Sequence, residues 1–232
     1  MSITITARCH PALEPLLPRP VPAGEALPDW FRAMPASAPS PALGGETVRT
    51  LKHCPPLIDA LSLGLLVPLA TDLTVEQGEI AWDWDPPVLT DADITRAPVG
   101  VHVAEQATGA PFEDPGRLIL KFTNFWTFEA PEGVSLLFTH PLNRPELPFR
   151  TLSGVVDSDL FRDGYVHFPA VLQDGFEGTV PRGTPVAQII ALPGRQLSLA
   201  TGAMDEEEIA RNRATQRALA QETSTYRKLY RR

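Results

Sequence analysis

Two aspartates at the end of an apolar segment are the first residues with a pattern that suggests chemistry. The segment Ser153-Gly-Val-Val-Asp-Ser-Asp159 places Asp157 and Asp159 directly after two valines. Residues two apart on a strand point to the same face, so the two carboxylates are expected side by side. A carboxylate at a strand end can accept a proton or bind magnesium through water. The alternative is that both residues form the turn that ends the strand.

A polar side chain inside an apolar strand is the second signal. Turn residues at Arg182-Gly-Thr-Pro185 precede the run Val186–Leu192, which predicts a buried strand. Gln188 is the only polar residue in that run. A buried amide needs hydrogen-bond partners, which either the protein itself or a ligand must provide.

These two segments, in this order, resemble motifs of the dUTPase and dCTP deaminase superfamily, the trimeric β-clip proteins. That family carries a Gly-Val-Ile-Asp-x-Asp-Tyr strand end followed by a Gly-Asp-Arg-Ile-Ala-Gln-Leu-Ile strand. Upstream, Pro131–Asn143 stands where the family has a Pro-x-Gly turn, an apolar strand and a phosphate-binding Arg-Ser pair. Ala70-Thr-Asp-Leu73 resembles the family's Ala-Gly-Tyr-Asp-Leu segment. The resemblance therefore runs from about Pro68 to Ile190.

The resemblance implies a fold, an assembly and roles for three acidic residues. We expect an all-β, β-clip-like (dUTPase-like) antiparallel sandwich or barrel that assembles as a homotrimer. In the family, the carboxylate at the position of Asp157 orients or activates water near a pyrimidine ribose. The acid at the position of Asp72 helps to hold the magnesium of a triphosphate, so we expect Asp72 or Asp159 near Mg²⁺. The implied activity is binding of a nucleotide or small anion, with magnesium-dependent hydrolysis as its catalytic form.

The resemblance also indicates which polar residues contact a small-molecule ligand. The segment aligned with the phosphate-binding motif contains His140, Asn143 and Arg144. Gln188 follows in the next motif strand. Asn124 stands in an aromatic stripe and is either a buried structural hydrogen-bonding group or a further ligand contact.

Three departures from the family pattern bear on the ligand. The Arg-Ser pair is missing from Thr139–Arg144, Leu160-Phe161 replaces the expected Tyr, and no Gly-rich phosphate arm follows Leu192. A ligand smaller than a nucleoside triphosphate is therefore expected. The whole chain also resembles an uncharacterised family of bacterial and phage proteins that share Cys-Pro-Pro, Phe-x-Asn-x-Trp and Gly-Val-Val-Asp-x-Asp segments.

Two other functions stay open. His102 and His167 lie in strand candidates, and His140 lies just past the strand candidate Val134–Thr139. These histidines can converge on iron or zinc with Asp157 as the carboxylate, as in a metal-dependent tailoring enzyme. No pair of histidines has a recognised metal-binding spacing in the sequence. In the third alternative the chain is a non-catalytic trimeric assembly or binding protein whose motif strands serve subunit packing.

Composition limits the class of protein and its partners. The 232 residues, 43% of them apolar, predict one globular domain with appendages. A net charge of −8 gives no reason to expect binding to nucleic acid or to an anionic membrane. Cys9 and Cys54 form neither a disulfide framework nor a Cys-x-x-Cys metal site. Because no signal peptide or membrane-spanning run is evident, we expect a reduced, cytoplasmic protein.

Proline placement and apolar periodicity predict the elements that position these residues. Many of the 25 prolines lie beside short apolar runs, which favours short strands over helices. We expect a Pro-rich arm over 1–46, pinned by a helical turn within Leu27–Met34. A β-clip-like core over 47–200 and a C-terminal helix over 201–232 follow.

Three elements of the chain are predicted more closely. Pro55–Gly64 predicts a short helix that ends at the glycine. Arg117–Phe128 predicts one continuous strand with alternating burial. Asp205, followed by three glutamates, predicts the N-terminal cap of the C-terminal helix.

Overall fold

The protein is built mainly from short strands. The computed structural model describes residues 3–111, 119–194, 199–221 and 225–229. All strand pairs in these ranges are antiparallel, which confirms the all-β prediction. The strands are β1 Thr6–Arg8, β2 Val21–Pro22, β3 Ser37–Ser40, β4 Glu46–Arg49, β5 Leu65–Pro68, β6 Leu73–Glu76, β7 Glu79–Ala81, β8 Val99–His102, β9 Ile119–Phe122, β10 Thr127–Glu129, β11 Val134–Thr139, β12 Phe149–Thr151, β13 Gly154–Val156, β14 Phe168–Leu172, β15 Gly178–Val180 and β16 Pro185–Pro193. The α-helices are α1 Asp29–Ala33, α2 Pro55–Ser62, α3 Glu206–Gln221 and α4 Thr225–Leu229.

The described residues divide into two compact units. The larger unit combines residues 3–34 with 60–194 and contains the main sheets. The smaller unit combines residues 35–59, with the β3–β4 hairpin, and the C-terminal helices. The predicted arm over 1–46 is therefore divided between the two units. Its first part belongs to the larger unit, where Leu13 and Leu17 are buried in the core.

The central sheet of the larger unit has five strands in the order β13-β11-β16-β5-β2. Its middle strand, β16, is the apolar run that the sequence predicts as a buried strand. Four consecutive residues, Val186 to Ile189, are buried, as expected for a strand covered on both faces. In the antiparallel register of β11 and β16, Val134 lies opposite Pro193 and Thr139 lies opposite Gln188.

The hydrophobic core joins this sheet to a four-stranded sheet of order β12-β14-β9-β8. Phe138 on β11 stacks on Phe168 on β14, with 5.8 Å between the ring centroids. Phe122 on β9 packs edge-on against Phe149 on β12 at 4.8 Å. Aromatic pairs in these geometries add about 0.5–1.5 kcal/mol to the free energy gained from burial alone.

The strand predicted over Arg117–Phe128 is interrupted, and its first two residues lie outside the described ranges. β9 ends at Phe122, and β10 begins at Thr127. The prediction of one continuous strand is wrong because, between the two strands, the Asn124 side chain bonds the main chain of Trp126. Burial also fails to alternate, since Thr123, Asn124 and Phe125 are all buried.

The helices follow the predicted boundary signals. α1 lies within Leu27–Met34, and α2 ends just before Gly64, which adopts a φ of 69°. At the start of α3, the Asp205 carboxylate accepts from the Glu208 N–H at 2.8 Å, and the Glu208 carboxylate accepts from the Asp205 N–H at 2.9 Å. This reciprocal pair is a capping box, as the acidic start of the segment predicts. None of the helices among the described residues is long and apolar enough to cross a membrane.

Candidate functional site

Asp157 lies just beyond β13, opposite the start of β11. β13 pairs with β11 so that Val156 faces Leu136. The buried Ser135 hydroxyl donates a 2.7 Å hydrogen bond to Asp157 Oδ1, which sets the orientation of that half-buried carboxylate. The Asp157 carbonyl accepts from the Leu160 N–H, so the chain turns immediately after the acid. The result is a positioned carboxylate at the edge of the five-stranded sheet.

Asp159 stabilises two turns through its carboxylate. Oδ2 accepts from the Gly133 N–H at 2.9 Å, and Oδ1 accepts from the Leu160 N–H at 3.0 Å. Gly133 has a φ of 75°, a left-handed conformation that suits glycine at the turn before β11. Asp159 therefore faces the start of β11, as Asp157 does, and bonds two main-chain donors there.

Asp72 bonds to the turn that leads into β16. Its Oδ1 accepts from the Arg182 N–H at 2.6 Å. The Arg182 side chain in turn donates to the Ala70 carbonyl at 3.2 Å and to the Leu16 carbonyl at 2.9 Å. These contacts join the segment before β6 to the β15–β16 turn, and Asp72 itself is exposed.

Gln188 has a partner for each end of its amide. Its Oε1 accepts from the Leu142 N–H at 2.7 Å, and its Nε2 donates to the carbonyls of Leu63 at 2.6 Å and Ala60 at 3.2 Å. The side chain is 1% exposed, so it links the loop after β11 to the end of α2 inside the protein. A ligand could reach this amide only by displacing one of these hydrogen bonds.

His140 is held in one neutral tautomer by the loop around it. Nδ1 accepts from the Thr151 N–H, and Nε2 lies 3.3 Å from the Arg144 carbonyl, so Nε2 carries the proton. Burial lowers the pKa of His140, and the hydrogen bond to the Arg144 carbonyl acts in the opposite direction. Both ring nitrogens are therefore used within the chain.

Asn124 uses both ends of its side-chain amide within the chain. Oδ1 accepts from the Trp126 N–H at 3.0 Å, and Nδ2 donates to the Trp126 carbonyl at 2.6 Å. The Asn124 N–H donates to His167 Nδ1 at 3.1 Å. With 3% of its surface exposed, Asn124 makes the structural hydrogen bonds that were one of its two expected roles.

The loop after β11 turns Arg144 away from the sheet edge. Asn143 is exposed and has a φ of 56°, a left-handed turn conformation that asparagine tolerates. The Arg144 side chain is 10% exposed, donates to the Ala26 carbonyl and lies 3.6 Å from the Glu146 carboxylate. Burial lowers the pKa of Arg144, while Glu146 acts in the opposite direction.

The predicted site residues occupy two ends of the five-stranded sheet. One end holds Asp157 and Asp159 at the start of β11. The other end holds the loop after β11 and the turn before β16, and it carries His140, Asn143, Arg144, Gln188 and Asp72. Five residues separate Ser135 from His140, which is about 17 Å along a strand. Asp159 lies at the first of these ends and Asp72 at the second.

The part of the chain that the structure describes contains no preformed metal-binding site. No group of three or more His, Cys, Asp or Glu side chains there is arranged to hold a metal ion. His140 uses both ring nitrogens, and His167 uses Nδ1 for the Asn124 N–H.

Sequence reasoning did not assign a role to several residues around these groups. Ser135, which orients Asp157, is an isolated serine within an apolar strand. Trp30, Asp29 and Glu146 surround Arg144 in a cleft, and they come from two segments far apart in the chain. For Asp29 and Trp30, the sequence contains one relevant pattern, the aromatic helical turn at Leu27–Met34. This pattern predicts that the turn anchors the arm, but it does not predict a ligand.

Neither a family model nor a curated protein matches the chain. Its function must be inferred from the geometry of its own residues.

Proposed function

We propose that this chain is a β-clip-like protein that binds a small nucleotide-like anion and uses Asp157 to orient water. The observation that carries the proposal is the adjacency of the segments that resemble the dUTPase and dCTP deaminase superfamily. β11, β13 and β16 are neighbours in one sheet, and Asp72 bonds to the turn before β16. Segments scattered over more than half of the sequence thus form one connected structure.

The proposed role of Asp157 depends on its fixed orientation. In hydrolysis of a phosphate ester, the oxygen of a water molecule attacks phosphorus and the P–O bond to the leaving group breaks. A general base assists this step by accepting a proton from the attacking water. Asp157 is half-buried, and the Ser135 hydroxyl holds one of its oxygens at 2.7 Å. A positioned carboxylate meets the geometric requirement for this general base.

A homotrimer is part of the proposal because one chain does not bring all the expected site residues together. Asn143 is exposed in the loop at the far end of β11, whereas Asp157 lies opposite the start of that strand. Beside Asp157, the apolar side chains of Val155, Leu160 and Phe161 are 44%, 82% and 50% exposed. A neighbouring subunit that covers this apolar edge can supply the polar contacts that the same chain cannot.

Thermal-shift measurements with pyrimidine mono-, di- and triphosphates, with and without Mg²⁺, test the ligand. A nucleotide present at about 100 times its Kd stabilises the protein by about 2.7 kcal/mol. Asp157→Asn should abolish hydrolysis of a bound nucleotide, whereas Asp163→Asn, which alters a 96% exposed side chain, should not. Light scattering coupled to size-exclusion chromatography reports the mass of the assembly.

The outcomes separate the proposed function from its alternatives. Absence of any nucleotide shift, together with stoichiometric iron or zinc in the purified protein, would favour the metal-dependent enzyme. A trimer without a nucleotide shift or a bound metal would favour the assembly protein. A monomer that hydrolyses nucleotides would refute the role proposed for the neighbouring subunit.

A further inference from the structure

A cleft away from Asp157 collects aromatic, apolar and charged groups. Its volume is about 350 Å³, at the lower end of the range of about 300–1,000 Å³ found for small-molecule sites. Two segments line it, one at the start of α1 and one in the loop after β11. The lining residues are Leu27, Pro28, Asp29, Trp30, Arg144 and Glu146.

Arg144 supplies a positive charge that is largely removed from water. The Ala26 carbonyl accepts from one terminal nitrogen, and the Glu146 carboxylate lies 3.6 Å from the other. A distance of 3.6 Å is too long for a good hydrogen bond, so this ion pair is loose. A planar guanidinium carries five N–H donors and suits a carboxylate or phosphate that binds through two oxygens.

Trp30 supplies a donor without an acceptor. Its Nε1 is buried and has no hydrogen-bond partner among the described residues. A buried unpaired donor is unfavourable, so a ligand with an acceptor that reaches it gains binding energy there. Because Nε1 is closed off from water, the indole ring must turn for a ligand oxygen to reach it.

The balance of charge in the cleft selects the ligand. Two carboxylates, Asp29 and Glu146, line it beside the Arg144 guanidinium, and the Arg32 guanidinium is close enough to act on the charge of Arg144. A simple anion would place a third negative charge near two carboxylates, and like charges repel. A simple cation would leave the Trp30 donor without an acceptor. A molecule that carries both an ammonium group and a carboxylate matches both sets of groups.

We propose that this cleft binds a free α-amino acid with an apolar side chain. The ligand carboxylate pairs with Arg144 and accepts from the Trp30 indole after the ring turns. The ligand ammonium pairs with Glu146 and Asp29. Leu27 and Pro28 contact the apolar side chain, which accounts for the apolar part of the lining. This site is separate from Asp157 and does not depend on the proposed hydrolytic function.

Calorimetric titration of the full chain with L-leucine, N-acetyl-L-leucine and L-leucinamide tests each contact. The acetylated compound lacks the ammonium group, and the amide lacks the carboxylate. Each should bind about tenfold or more weakly than L-leucine, because each leaves one charged partner of the cleft unpaired. Binding of L-leucine should also shift the tryptophan fluorescence, and Trp30→Phe should remove that shift.

Matched variants assign the two charges. Glu146→Gln should weaken L-leucine binding about tenfold and should not weaken N-acetyl-L-leucine binding, because that anion loses only a carboxylate that repels it. Arg144→Lys should weaken L-leucine binding and leave L-leucinamide binding unchanged, because the amide offers no carboxylate. Arg150→Lys, at an exposed position on β12, should change neither. Urea unfolding of each variant verifies that it is folded.

Two results would overturn the proposal. One is failure of L-leucine, L-phenylalanine and L-valine to bind to the folded protein at millimolar concentration. The other is equal binding of L-leucine and both of its modified forms. Binding of inorganic phosphate or a nucleotide in this cleft, blocked by Arg144→Lys and unaffected by Glu146→Gln, would also overturn it by identifying a simple anion site.

Discussion

The Gln188 side chain accepts a hydrogen bond from the Leu142 N–H at 2.7 Å and so connects the central strand β16 to the loop after β11. Its Nε2 donates to the Leu63 and Ala60 carbonyls at the end of α2. Three parts of the chain therefore meet at one buried amide, and the loop that carries His140 and Arg144 depends on it for its position.

Replacement of this amide should destabilise the protein strongly. Gln188→Met keeps the approximate volume but leaves the Leu142 N–H and two carbonyls without their partner. Each unpaired buried group costs about 1–3 kcal/mol, so we expect a loss of about 3 kcal/mol or more in the free energy of unfolding. Urea denaturation measures this loss. Gln173→Met, at an exposed position in the same unit, is the control and should change stability by about 0.5 kcal/mol or less.

Gly64 should tolerate no side chain. A Cβ at this position would lie 1.9 Å from the Ile189 carbonyl oxygen, and its φ of 69° is unfavourable for other residues. Gly64→Ala therefore combines backbone strain with a collision in the central sheet, and we expect it to destabilise by about 3 kcal/mol or more. Gly175→Ala isolates the strain, because Gly175 has a φ of 66° and no atom near its missing Cβ. Equal stability losses in the two variants would contradict this explanation.

Stability should fall as the pH drops below about 6.5. Burial lowers the pKa values of His140 and His167 in the folded protein, so the unfolded chain binds more protons between those values and the ordinary value near 6.5. The free energy of unfolding then rises with pH through this window, by at most about 1.4 kcal/mol per pH unit for each histidine. Urea midpoints at pH 7.5, 6.5 and 5.5 measure the slope. His140→Gln should reduce the slope, whereas His53→Gln, at an exposed position, should leave it unchanged.

Asp159→Ala separates a structural role from a metal-binding one. Both oxygens of Asp159 accept main-chain hydrogen bonds, so the variant should lose about 1–2 kcal/mol of stability. If the carboxylate acts only through these bonds, the loss is the same with and without Mg²⁺. A loss that appears only when Mg²⁺ is present would assign the metal-binding role instead. Asp163→Ala serves as the exposed control.

Local signals in the sequence were enough to predict several elements. Asp205 predicts the N-terminal cap of α3, Gly64 predicts the end of α2, and the apolar run around Gln188 predicts a buried strand. In each case the determining interaction involves residues a few positions apart or the burial of one continuous segment. The interruption at Asn124 escaped prediction because an asparagine that bonds its own main chain two residues ahead looks, in sequence, like one polar residue on a strand face.

The candidate site was less predictable because it depends on long-range pairing. The register of β11 and β16 places Gln188 beside the loop after β11 and separates both from Asp157. Apolar patterning indicates that such strands are buried, but it does not identify their neighbours. Trp30 and Arg144 share a cleft although more than a hundred positions separate them, and no local pattern connects them.

The central position of β16 affects the order in which the protein can fold during synthesis. β11 and β5 lie on either side of β16 and do not pair with each other, and among these three strands β16 is the last to leave the ribosome. The β13–β11 pair and the β5–β2 pair therefore keep unpaired edges until residues 185–193 have been synthesised. A chain whose synthesis stops before Pro185 would expose the edges of β5 and β11, which are the kind of surface that molecular chaperones protect from aggregation.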